Sequence, residues 1–111
     1  MSAPQLDPSS IALDQDGNLA HLEQWSEAVA QLLAQTHGIE LSPAHWEVLW
    51  LVRNFYKQRG LSPVMRILVK LVERELGPVK GNSLYLLSLF PDSPAKLAAR
   101  IAGLPRPVNC L

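Results

Sequence analysis

The only thiol in this chain belongs to Cys110, next to last of 111 residues. A solitary cysteine closes no internal disulfide and cannot by itself hold a zinc ion. Most lone cysteines are buried and behave as small inert hydrophobes. Cys110 is hard to bury in that way, because a chain terminus is exposed unless something ties it down. The chemistry open to an exposed lone thiol is exchange, in which its thiolate attacks a sulfur on another protein. If the attacked group is a persulfide, the outer sulfur moves and Cys110 becomes the persulfide. That step takes one cysteine at each end and no cofactor.

The residues before the thiol favour reach over burial. In Leu104-Pro105-Arg106-Pro107-Val108-Asn109-Cys110-Leu111 two prolines fix their own φ and bias the preceding residues to extended backbone, which forbids a helix. Eight polyproline-like residues would span about 25 Å at about 3.1 Å each. A flexible arm over 104–111 is expected, able to enter one partner's pocket and then another's. Positive charge beside the sulfur favours its thiolate. Arg106 is the base nearest in sequence, and Arg66, Lys70 and Arg74 recur every four residues on one face of an expected helix. The plain alternative for that stripe is a solvated face opposite Val64, Ile67, Leu68 and Leu71.

No other group of residues competes for a site. His21, His37 and His45 lack metal-ligand spacing and read as surface or structural histidines, so no metal is expected. Neither a glycine-rich phosphate loop nor a nucleophile elbow occurs. Formal net charge is zero, yet residues 1–50 carry −7 and residues 51–111 carry +7. Either the halves attract each other on folding, or the second half presents a positive surface to an anionic partner. A neutral total argues against a dedicated nucleic-acid binder. No apolar run is long enough to span a membrane, and the start, Met1 to Pro8, lacks the basic and apolar parts of a signal peptide. A cytoplasmic, single-domain protein is expected.

The elements that must position this arm read as helices. Residues 1–10 form a loose lead-in, and Ile11 and Leu13 alternate before Asp16-Gly17, the signal of a short hairpin over 11–19. A helical body over 20–103 follows, opening with a helix at about 19–35. Three later helices share a serine cap with proline in the first turn: Ser42-Pro43, Ser62-Pro63 and Ser93-Pro94. A short helix spans 82–89, and Gly60, Gly77 and Gly103 supply stops. The second helix is apolar almost all round and is expected at the centre, with Trp46 and Trp50 in the core. The fold class is mainly α (α+β): a compact helical bundle, a short N-terminal β-hairpin and a flexible C-terminal arm.

These stretches together resemble the DsrC/TusE family of sulfur-relay proteins over nearly the whole chain. The resemblance rests on Leu13-Asp14-Gln15-Asp16-Gly17, Leu22-Glu23-Gln24-Trp25, Ala44-His45-Trp46-Glu47-Val48, Ser62-Pro63-Val64-Met65-Arg66-Ile67-Leu68, Leu89-Phe90-Pro91 and the ending from Ile101 to Leu111. Two positions depart from the pattern. Asn109 stands where the family arm usually has glycine. Ala99 stands where DsrC proteins of dissimilatory sulfur metabolism carry a second cysteine, so two-cysteine chemistry is unavailable. The single-cysteine pattern is similar to the TusE branch, which accepts sulfur as a persulfide from a TusBCD complex. That branch passes the sulfur to the tRNA 2-thiouridylase MnmA for wobble-uridine 2-thiolation. The resemblance implies Cys110 as the carrier and matches Arg66 to a basic residue of the family motif; Lys70, from the stripe, and Arg106, from its nearness in sequence, are expected to add electrostatic support. The implied partners are a TusBCD-like donor and an MnmA-like thiolase with or without its tRNA.

Two classes of function follow from these residues. One is a sulfurtransferase subunit acting through Cys110. The other is a small helical nucleic-acid-binding or regulatory protein, in which the helix at 62–74 serves as a recognition helix. The second leaves the cysteine arm unexplained.

Overall fold

Side chains that close helix ends decide where this chain bends. A computed structural model describes residues 11–108. Ser26 takes the Val29 amide on its hydroxyl at 3.2 Å, so the first helix α1, Glu27–Gln35, starts there and not at 19. The residues before it form a single 3₁₀ turn, Leu22–Gln24, and extended backbone at Trp25 and Ser26. Helix α2, Pro43–Arg59, opens on a reciprocal cap. The Ser42 hydroxyl accepts the His45 amide, and His45 Nδ1 accepts the Ser42 amide at 3.1 Å. A histidine here does the work usually done by Glu or Gln three residues into a helix. Gly60 ends α2 in the left-handed conformation.

Helix α3, Met65–Leu76, does not start at the expected Ser62-Pro63 cap. Val64 holds the cap position without a side-chain bond. Ser62 and Pro63 are buried in the extended lead, because the Ser62 hydroxyl is drawn to the Pro105 carbonyl at 2.6 Å. Asn82 caps α4, Ser83–Leu89, through the Tyr85 amide. Helix α5, Pro94–Ile101, begins at Ser93-Pro94 as expected, although Ser93 makes no capping bond.

The expected hairpin is corrected. No strand occurs among the described residues, and 11–19 make one antiparallel bridge, Leu13 with Leu19. The Asp14 carboxylate accepts the amides of Asp16 and Asn18 at 2.9 and 3.0 Å, so the turn consumes 14–18 and leaves too little chain for a ladder. Gly17 supplies the positive φ, 82°, that the turn demands.

The centre of the body is α5, not α2. It packs against all four other helices. Ala95, Ala98 and Ala99 are 3%, 0% and 0% exposed, and methyl-sized side chains let neighbouring helices come close. Around them lie Val48, Leu49, Val52, Leu68, Val72, Leu86, Phe90 and Ile101. Trp46 is only partly buried, and Trp50 is 47% exposed, so the core reading of Trp50 fails. Among the described residues the oppositely charged halves meet where Lys80 pairs with Glu47 at 2.8 Å and Arg106 with Asp16 at 3.7 Å.

Candidate functional site

A helix leaves its last carbonyls without intrahelical donors, and those of α5 face the segment that leads to the thiol. Gly103 reverses the chain with φ 73°, its amide bonding the Arg100 carbonyl at 3.1 Å. The Leu104 amide returns to the Ala99 carbonyl at 2.9 Å, completing a Schellman end. Glycine is required twice over here. Besides the φ, a Cβ at Gly103 would lie 2.3 Å from Cδ1 of Trp25.

The carbonyls around this reversal go to side chains from distant parts of the chain. Trp25 Nε1 donates to Ile101 O at 2.9 Å, and Arg53 Nη1 donates to Ala102 O. Asn18 Nδ2 donates to Leu104 O at 2.9 Å, and Ser62 Oγ donates to Pro105 O at 2.6 Å. Leu104 is 3% exposed and Pro107 is buried. The segment that sequence reading sets apart as a free arm from 104 is therefore fastened to the body through Pro105, because its carbonyls find donors there.

Charged groups hold the donors in place. The Arg53 guanidinium lies 3.8 Å over the Trp25 ring, and burial lowers its pKa from the ordinary arginine value. Arg100 donates to Asn18 Oδ1 at 3.3 Å and to the Asp16 carbonyl, which turns the Asn18 amide so that its NH₂ faces Leu104. The third arm of the fork, Nη1, meets His37 Nε2 at 3.2 Å. Arginine only donates, so Nε2 accepts. Partial desolvation, and then the Arg100 charge, lower the His37 pKa from its usual value.

The expected site residues are described only in part. Cys110 lies outside the described residues. Arg106 is exposed beside Asp16, Asn18, Lys96 and Arg100, which with it line a small cleft of about 130 Å³. Arg66 and Lys70 are not in that cleft; they stand exposed on α3, the solvated face that was the plain alternative. Arg74 of the same stripe pairs with its neighbour Glu75 at 3.2 Å. Among the described residues no His, Cys, Asp and Glu cluster has the makings of a metal site. No helix among the described residues is long and apolar enough to cross a membrane. Sequence reading missed Asn18, Arg53 and Arg100 as arm-positioning residues, and took Ser62 for a helix cap. Trp25 and Ser62 had a signal, each as part of a recognised stretch.

The family model described as DsrC like protein matches residues 5–111. The chain belongs to that family. The Sulfurtransferase TusE homolog of Haemophilus influenzae is 50% identical over 101 residues, 91% of this chain and 93% of that protein. Sulfurtransferase TusE of Sodalis glossinidius is 52% identical over 103 residues, 93% and 95% of the two chains. The NMR structure of Allochromatium vinosum DsrC superposes with a TM-score of 0.82 at 42% identity, covering 91% of this chain and 90% of that one. With one cysteine and this kinship, the DsrC-like chain is a sulfurtransferase of the sulfur-relay kind.

Proposed function

We propose that Cys110 is the sulfur carrier, loaded as a persulfide by a TusBCD-like complex and unloaded by an MnmA-like tRNA 2-thiouridylase for wobble-uridine 2-thiolation. One observation supports this reading most. The C-terminal segment is fastened to the body by side-chain hydrogen bonds through Pro105, and the protein's single thiol comes five residues later. An anchor followed at once by a lone nucleophile is the layout of a carrier that presents sulfur to larger proteins.

The transfer balances without a cofactor. The Cys110 thiolate attacks the outer sulfur of the donor's Cys–S–SH, a new S–S bond forms on Cys110, and the donor's S–S bond breaks. The donor cysteine leaves as a thiolate and nothing is oxidised or reduced overall. Unloading runs the same exchange to the next thiolate. Arg106, in the same segment as the thiol, favours its ionised form, with Arg66 and Lys70 contributing field at longer range. A part in tRNA thiolation implies a cytoplasmic location.

Intact mass after incubation with a persulfide donor system tests the proposal. The protein gains one sulfur atom, removable by a thiol reductant, and Cys110→Ala gains none while remaining folded. A Cys110→Ala protein that still relays sulfur overturns it.

A further inference from the structure

Anchoring at Pro105 limits where a partner can sit. Five residues from Pro105 to Cys110 extend at most about 16–18 Å. A protein that gives up sulfur to Cys110 must therefore contact the body close to the anchor. Beside it lies a cleft of about 480 Å³, lined by Trp25, Trp50, Arg53, Tyr56, Lys57 and Leu104 among others. Leu104 belongs to the anchored segment, so the cleft is continuous with the root of the arm. Its composition is that of an interface centre, since Trp, Tyr and Arg dominate binding hot spots. Trp50, on the middle of a helix that buries His45, Val48, Leu49 and Val52, is left 47% exposed there.

We infer that this cleft is the docking seat for the sulfur-donating protein, which lays an acidic surface segment across Trp50 between Arg53 and Lys57. Among the described residues two cations and no carboxylate line the cleft, so the complementary surface is acidic. The aromatic rings fit a protein surface better than unstacked bases. Trp50 is already stacked on Trp46 at 5.9 Å and meets Trp25 edge to face, while Arg53 covers the Trp25 ring. Base stacking needs free ring faces, whereas side-chain packing needs only exposed edges. The inference rests on Cys110 as carrier, and its test separates the two.

The persulfide-loaded TusBCD-like complex is titrated by calorimetry against the full chain carrying Cys110→Ala, which blocks turnover. Adding Lys57→Glu, at an exposed residue, weakens binding tenfold or more, and Trp50→Ala does the same with the thermal midpoint measured alongside. Binding of the Cys110→Ala parent also weakens as salt rises. Equal affinities for parent and Lys57→Glu overturn the proposal, as does absence of binding by the parent. Transfer RNA that binds the parent and is lost through Lys57→Glu overturns it in favour of a nucleic-acid seat. Loading of the unaltered chain by inorganic polysulfide reads the thiol alone, so failure there strikes the carrier reading and not the docking seat.

Discussion

Single groups at the α5 exit decide how firmly the C-terminal segment is held. Gly103 combines a left-handed backbone with a Trp25 ring where a side chain would be, and Trp25 is itself bonded to Ile101 O. Gly103→Ala therefore costs about 1–3 kcal/mol for the strained φ, and the collision with the indole adds to that. Urea unfolding is expected to show the midpoint falling at unchanged m; an unmoved midpoint would disprove the double requirement. The stop at Gly103 was legible, since glycine beyond a helical run is a local signal. Its contact with Trp25 was not, because pairing across most of the chain leaves no mark on spacing. The same holds for Arg53 and Asn18, whose partners are backbone carbonyls, identical in every residue. Cys110 is singled out by count and position alone, and it lies outside the described residues.

At the level of elements, local chemistry was readable wherever the cap was its own partner. Ser42 and His45 bond each other within one turn, and α2 starts as the Ser-Pro signal predicts. Ser62 carried the same signal and failed as a cap, because a carbonyl far along the chain claimed its hydroxyl. The eight-residue α5 was legible in position but not in rank. Its alanines score low in hydrophobicity, yet small side chains are what allow it to touch every other helix. His45 illustrates why α2 and α4 are set together: with Nδ1 accepting from Ser42, Nε2 carries the proton and donates to Leu89 O at 2.8 Å. Its ring also meets Phe90 edge to face at 5.2 Å. Ser42→Ala removes the hydroxyl from this arrangement and is expected to destabilise the protein by about 1 kcal/mol, while Ser42→Asp retains a capping acceptor and most of the stability. Chemical denaturation of the three proteins checks this, and an alanine variant as stable as the parent would remove the cap from the account.

Across the whole molecule, the two ends of the described chain are joined through one amide. Asn18, in the loop near the start, donates to Leu104 O at the root of the arm and accepts from Arg100 on α5. Asn18 is 2% exposed, so both bonds are made away from water. Asn18→Asp separates the two functions of the side chain. A carboxylate still accepts from Arg100, and gains charge in doing so, but it has no hydrogen to give Leu104 O. The Leu104 carbonyl is then buried without its donor, at a cost of about 1–3 kcal/mol. That loss belongs to the opening of the arm root, whereas the loop keeps its own Asp14 bonds. Hydrogen exchange resolves the difference. The Leu104 amide, bonded to Ala99 O, exchanges roughly 5- to 150-fold faster in Asn18→Asp, while the Asn18 amide on the Asp14 carboxylate changes little. Equal acceleration at both amides would mean that loop and arm root open as one unit. Protection unchanged at Leu104 would mean that Ser62 and the Arg106–Asp16 pair hold the segment without the Asn18 donor.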